Sequence, residues 1–279
     1  MTLSVIVPVY NRLPLLEKCL AAIYRQTLAP DEIILSDDGS EEDIVSFFRA
    51  QKQLSQVPLK LIRQQHQGFR ASRVRNNGVS ISRGELLVFL DQDIVVPPDY
   101  LKAIGDKLSK NRFLSGYPVR LTQEQSLGLD VSRLDMIIQA DFLMPEQLAK
   151  IRRQFREDLA AYLLYRYLRL GGHGAKLRGG VCAVYREDFD KVNGFDENFF
   201  DCGGEDDDLG RRLLMIGKTG YNFVKEQIPL HLFHEPNYQS QRWKRDHYST
   251  QRKLRINRKN FRCEKGLDCL RSDVEIFTD

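Results

Sequence analysis

Residues 1–95 alternate two patterns of apolar and polar positions. LSVIVPVY, starting at Leu3, is a continuous β-branched run, as expected for a strand buried on both faces of a parallel sheet. PLLEKCLAAIYRQT follows with Leu16, Leu20 and Ile23 at helical spacing and Pro14 near its start. DEIILSDDGS predicts a second short strand that ends in acids, glycine and serine. EEDIVSFFRAQKQL predicts a helix, LKLIRQQ a third strand, SRVRNNGVSIS a helix and GELLVFLDQDIVV a fourth strand. This alternation implies right-handed crossovers and an open, mostly parallel α/β sheet of Rossmann-like build, with helices on both faces.

The second half is less regular. Residues 141–170, DFLMPEQLAKIRRQFREDLAAYLLYRYLRL, predict a helix rich in Arg and Tyr. GGVCAVYREDFDKVNGF predicts a strand and a short helix, and LGRRLLMIG another helix. Beyond residue 235 the chain turns basic and polar. The simplest parse is one domain over 1–236, made of 1–95, a helical insertion at 96–175 and a part at 176–236. A basic C-terminal extension follows at 237–279.

Composition sets limits. The chain has 279 residues, 42% hydrophobic and 29% charged, which is ordinary for a globular protein. A net charge of +4 is too small to indicate nucleic acid. The tail RWKRDHYSTQRKLRINRKNFR is basic and aromatic, but acids at every strand end would repel phosphate, so no nucleic-acid partner is expected. The five cysteines are odd in number, irregularly spaced and lack a CxxC pair, which points to a reduced compartment. No basic leader precedes an apolar run, and no window approaches the ~20 apolar residues of a membrane span. The expectation is a cytoplasmic protein whose membrane contact, if any, is peripheral and on the inner face.

The polar clusters PVYNR, SDDGS and LDQD fall at the carboxyl ends of strands, where open α/β sheets bind ligands. In LDQD, the i, i+2 spacing puts Asp91 and Asp93 on one face of an extended chain. Two such carboxylates raise each other's pKa unless a cation lies between them, and oxygen ligands suit Mg²⁺ or Mn²⁺. The alternative is a turn with solvated acids. In SDDGS, Asp38 can accept from a nucleobase N–H, or Ser40 can cap the next helix. In LHLFHEP, His231 and His234 suit Mn²⁺ beside a carboxylate, or form a structural pair. In FFDCGGEDDDLGRR, Gly203 and Gly204 permit tight backbone geometry. One of the acids Glu205 to Asp208 could act as a general base, and all could complement a helix's first turn.

Together these motifs resemble nucleotide-sugar glycosyltransferases of the GT-A-type fold. SVIVPVYNR, SDDGS, RNNG and FLDQD are similar to glycosyltransferase family 2. RGGVCAVYREDFDKVNGFDENFFDCGGEDDDLGRRL resembles the C-terminal part of the family 7 β-1,4-galactosyltransferases, with GGV, NGF and GGEDDD in that order. The resemblance covers roughly residues 3–95 and 176–236. It implies inverting transfer from a metal-bound UDP-sugar to a glycan or lipid-linked glycan. It makes 1–95 the nucleotide-binding part and 176–236 the acceptor and catalytic part. Pro8, Tyr10 and Arg12 would line the uridine diphosphate site. Asp38 would face the uracil, and Arg70 would lie near the diphosphate. Asp91 would face the donor ribose or sugar, and Gly180 would line the sugar site. Asp93, with His234 and His231, would hold Mn²⁺ or Mg²⁺. Asp206 would be the catalytic base, and Glu205 and Asp207 would contact the acceptor. Galactose or N-acetylgalactosamine is the favoured sugar.

One position departs from the pattern. The galactosyltransferases carry a tryptophan before GGEDDD and this chain has Cys202, so the acceptor is not implied. Three alternatives stand beside this reading. One is a family 2 enzyme using UDP-glucose, UDP-GlcNAc, or a dTDP- or GDP-sugar. Another is a metal-dependent nucleotidyltransferase, although PVYNRLP lacks the glycine-rich phosphate loop this would need. The third concerns helix 141–170, whose Arg and Tyr residues suit an anionic membrane surface or a solvated helix packed on the domain.

Overall fold

A computed structural model describes residues 1–134, 142–168, 174–200, 203–225, 227–235, 248, 251–252, 256 and 259–278. The four predicted N-terminal strands are β1 (Leu3–Val9), β2 (Glu32–Asp37), β3 (Leu59–Gln64) and β4 (Leu86–Leu90), all parallel. Between them run α1 (Leu13–Tyr24), α2 (Ile44–Leu54) and α3 (Ala71–Ile81). The β-branched runs form strands because both faces are covered, and side-chain alternation then splits the core in two. Val5, Val7, Val88 and Leu90 pack toward Leu16, Leu20 and Phe48. Ile6, Leu87 and Phe89 pack toward Val79, Phe189, Leu209 and Leu213.

The fourth strand is shorter than its apolar run predicts. β4 stops at Leu90, and the chain turns so that Ile94 donates to the Asp91 carbonyl at 3.0 Å. β5 (Ile94–Val95) then leaves the main sheet for a small second one, ordered β5–β10–β7, with β7 (Val119–Arg120) and β10 (Leu230–His231). The period of the side chains cannot reveal such a turn, because the residues on both sides of it are equally apolar.

The insertion at 96–175 holds α4 (Tyr100–Lys107), α5 (Gln123–Leu127) and α6 (Pro145–Leu163), the last followed by a π-helical turn over Leu164–Leu168. It is not helical throughout, because β6 (Arg112–Ser115) is a strand of the main sheet. Residue 141 and residues 169–170 of the predicted helix lie outside the described residues. β8 (Val181–Tyr185) leads directly into α7 (Arg186–Lys191), as expected. After α8 (Glu205–Met215) and β9 (Thr219–Asn222), the basic extension returns to the domain. Its β11 (Val274–Phe277) pairs antiparallel with β3. The main sheet is thus β11–β3–β2–β1–β4–β8–β6–β9, with β8 and β11 running against the other six. Strand order reverses beside β1, so the carboxyl ends of β1 and β4 open on one crevice. Among the described residues, no helix is long and apolar enough to cross a membrane.

Candidate active site

The crevice begins where β1 ends. Asn11 and Arg12 take left-handed backbone angles, φ 52° and 59°, a conformation that costs a non-glycine residue energy. Side-chain bonds fix this bend. Gln92 accepts from the Tyr10 amide at 2.8 Å, and Ser40 Oγ accepts from the Asn11 amide at 2.7 Å. Arg12 reaches across to the Nδ1 of His234 at 2.8 Å and donates to the Glu235 carbonyl at 2.6 Å.

The wall beside β2 collects the predicted nucleoside residues. Pro8 pairs in register with Ser36, and the Tyr10 ring stacks on His66 with centroids 4.4 Å apart. Asp38 accepts from Gln64 Nε2 at 2.5 Å, with His66 at 3.5 Å and Arg70 at 3.9 Å. Burial pushes the Asp38 carboxyl up, and these neighbours offset only part of that rise. Ser40 does not cap the next helix. Asp43 does, accepting from the Ser46 amide at 3.0 Å, while Asp37 accepts from the Gly39 and Ser40 amides in a tight turn.

Asp93, His231 and His234 converge. Asp93 Oδ2 lies 2.8 Å from His234 Nε2 and 3.7 Å from His231 Nε2, and one ligand atom from each falls within 4.8 Å of the others. The small sheet explains how residues so distant in sequence meet. His231 pairs with Ile94, and the Leu232 amide donates to the Asp93 carbonyl at 2.8 Å. Burial would raise the Asp93 carboxyl, but the hydrogen bond to His234 and the charges of both histidines hold it below its ordinary value. The hydrogen bond to Asp93 raises the His234 pKa in turn. Asp93 Oδ1 is buried and has no hydrogen-bond partner. A carboxylate oxygen left bare beside two imidazoles is the donor set that Mn²⁺ accepts, so the residues fit a divalent metal.

Asp91 does not join this triad. Its carboxylate binds Arg75 at 3.0 Å, and Arg75 also reaches Glu205 at 3.2 Å. Gly180 makes room for this arrangement, since a Cβ there would fall 2.0 Å from Asp91 Oδ2. Glu205 was expected at the acceptor. It is only 7% exposed, and the oxygen that has a partner faces Arg75.

The acids of GGEDDD do occupy the first turn of α8, entered through Gly203 and Gly204 at φ 96° and 102°. Their helical stagger aims each in a different direction. Asp208 is buried against Arg212 at 2.6 Å and is also approached by Arg252 at 3.4 Å. Asp207 pairs with Arg211 at 3.0 Å and lines a cavity of about 260 Å³ with Gly210, Leu214, Leu177 and Phe113. Asp206 accepts from the backbone amides of Asp207 at 2.8 Å and Gly179 at 3.4 Å. Cys202 lies outside the described residues.

The sequence gives no individual role to Arg75, His66, Gln64 or Gln92, although RNNG contains Arg75 and LDQD contains Gln92. Arg75 left a signal. It sits at a core-facing position of α3, among Ser72, Asn76 and Val79, where an arginine needs a buried partner.

The profile of glycosyl transferase family 2 matches residues 4–192, and that of the N-terminal domain of galactosyltransferase matches residues 162–235. A validoxylamine A glucosyltransferase from Streptomyces hygroscopicus subsp. limoneus is 31% identical over 229 residues, covering 76% of this chain and 47% of that protein. The chain therefore spans about half the length of that relative. Among solved structures, S. aureus TarS in complex with UDP-GlcNAc matches with a TM-score of 0.63 at 15% identity, over 94% of this chain and 69% of that one. The mannosyltransferase PcManGT from Pyrobaculum calidifontis, in complex with GDP-Man and Mn²⁺, matches with a TM-score of 0.58 at 20% identity, over 85% of this chain and 58% of that one. At these identities the structural likeness is one of fold.

Proposed function

The chain belongs to glycosyl transferase family 2 and has the GT-A-type fold, and from that premise we propose an inverting, metal-dependent transfer of a hexose or N-acetylhexosamine from a UDP-sugar to a glycan hydroxyl. The observation that carries this reading is the Asp93–His231–His234 triad with its bare carboxylate oxygen; Asp206 is held by the Gly179 amide, in the turn whose Gly180 faces Asp91.

In this reading Tyr10, Pro8 and Asp38 hold the nucleoside, and Arg12 and Arg70 balance the diphosphate. Asp91 and Gly180 border the donor sugar. Asp93, His231 and His234 would hold Mn²⁺ or Mg²⁺, which would supply positive charge against the departing diphosphate, worth several kcal/mol in such sites. Asp206 takes the proton from the acceptor hydroxyl, whose oxygen attacks the anomeric carbon from the face opposite UDP. An α-linked donor then yields a β-linkage. Asp207 contributes to the acceptor side. Glu205 acts there through Arg75, because its paired oxygen is turned that way.

Galactose or N-acetylgalactosamine is favoured by the galactosyltransferase profile over residues 162–235. Glucose is the competing sugar, by likeness to the validoxylamine A glucosyltransferase. The test is UDP release from UDP-Gal, UDP-GalNAc, UDP-Glc and UDP-GlcNAc, with Mn²⁺ or EDTA. Mn²⁺-dependent hydrolysis of one of them names the donor. No turnover, together with no Mn²⁺-dependent thermal stabilisation by UDP, would remove the reading.

The acceptor is proposed to be lipid-linked and met at an anionic membrane. Supporting this, the exposed face of α6 carries Arg152, Arg153 and Arg156, and its end exposes Leu163, Leu164, Tyr167 and Leu168. Cations beside exposed apolar and aromatic groups suit anionic headgroups. Liposome co-sedimentation should rise with anionic lipid content. Indifference to anionic lipid would discard the membrane part alone.

A further inference from the structure

Arg75 is 6% exposed, yet its guanidinium ties together two motifs far apart in the sequence. One nitrogen donates to Asp91 of LDQD at 3.0 Å and another to Glu205 of GGEDDD at 3.2 Å. The guanidinium also lies over the Phe195 ring, 5.3 Å from its centroid. The backbone is shaped to seat it. A Cβ on Gly179 would come within 3.0–3.2 Å of the guanidinium. Arg75 Nε and Glu205 Oε2 are buried without partners. Stability alone does not account for such a bracket, because an apolar replacement of a buried ion pair is often neutral or better.

The geometry around Asp91 supplies another reason. Asp91 and Asp93 stand two residues apart just past the end of β4, where Ile94 donates to the Asp91 carbonyl and the chain turns between the two acids. A carboxylate crowded by another lowers its energy by sharing a cation. Arg75 offers Asp91 a cation of its own at 3.0 Å, in a rigid fork that also reaches Glu205 and that a single ammonium cannot copy.

We propose that Arg75 is a positioning residue that holds Asp91 out of the metal triad, so that Asp93 alone of the two LDQD carboxylates serves as ligand, and that it couples this arrangement to the acidic helix through Glu205. The proposal rests on the metal reading above. It assigns the asymmetry of the two aspartates to the arginine of RNNG, on α3.

The test is Mn²⁺ titration of the free protein by calorimetry, with folding checked by circular dichroism. In Arg75→Met/Glu205→Gln, which removes the cation without stranding its buried partner, Mn²⁺ affinity should rise about tenfold, the scale of outer-shell effects at metal sites. Adding Asp91→Asn should abolish the gain, an outcome that general loosening of the fold would not produce. Arg75→Lys is the milder variant if the double substitution does not fold, and should shift affinity in the same direction. A folded variant with wild-type or weaker Mn²⁺ affinity, or a gain that survives Asp91→Asn, overturns the proposal. If the wild-type chain itself binds no Mn²⁺, the metal reading fails and this one falls with it.

Discussion

The strand ends and the first turn of α8 are both crowded with carboxylates, and they hold them in opposite ways. At the strand ends, acids from separate elements converge. Asp93 meets two histidines brought in by β10, and Asp38 meets Gln64, His66 and Arg70 from the segment that begins at β3. In α8, four consecutive acids diverge by the helical stagger, and cations sort them. Glu205 goes to Arg75, Asp207 to Arg211 and Asp208 to Arg212. Among the described residues, Asp206 accepts hydrogen bonds from backbone amides. Convergence gathers ligand atoms from distant parts of the chain within 4.8 Å of one another at Asp93, His231 and His234. Divergence gives three of the acids an arginine partner each and gives the fourth backbone amides. A run of like charges therefore gives little guide to function until its partners are known.

The strongest way to break this contrast is at Asp206. Asp206→Asn should cut turnover by roughly 10²- to 10⁴-fold, the usual effect of losing a positioned base, while UDP and Mn²⁺ binding persist. Wild-type turnover in the variant would return all four acids to structure. Next comes Asp208, buried with Arg212, whose side chain is fully enclosed. Asp208→Asn strands that charge and should destabilise by about 3–5 kcal/mol in urea titration. Asp207→Asn, against an Arg211 that is 43% exposed, should cost no more than about 0.5 kcal/mol in the same titration. Similar losses at both would mean that burial does not distinguish them. Gly180→Ala tests the convergent region. The new Cβ must push the Asp91 carboxylate aside, which should lower kcat/KM on the order of 10²-fold with little change in melting temperature.

The smallest effect lies at the opposite end of the sheet and serves as a control. Burial alone would raise the Glu32 carboxyl, but Lys60, Ser4 and the Arg83 amide hold it below its ordinary value. A depressed folded-state pKa contributes stability that is present above the unfolded pKa and lost as pH falls through the folded one. Acid unfolding of wild type should therefore include this loss, and Glu32→Gln should show a shallower acid limb. An unchanged limb would mean that Glu32 carries no such linkage.

The N-terminal strands and helices could be read from the sequence because period-2 and period-3.6 patterns report burial directly. The triad residues could be named too, since Asp93, His231 and His234 stand in recognisable spacings. What brings them together could not. β5 and β10 are two residues long, below the reach of any pattern, and they place His231 beside Asp93. The burial of Glu205 was hidden for a similar reason. Its partner Arg75 belongs to a helix whose pattern says only that the position faces inward. β6 and β11 are four residues long, and segments as short as RFLS and VEIF carry no mark of which strands they will meet.

That last pairing bears on how the molecule forms. β3 lies in the first part of the chain to be synthesised, yet the strand that covers its outer side comes from residues 274–277. Until those residues arrive, β3 presents open amides and carbonyls to solvent, a template on which another chain can add a strand. Contacts this distant in sequence also form slowly, because a long loop must close first. β11 thus shields an edge of the sheet that the four N-terminal strands leave open.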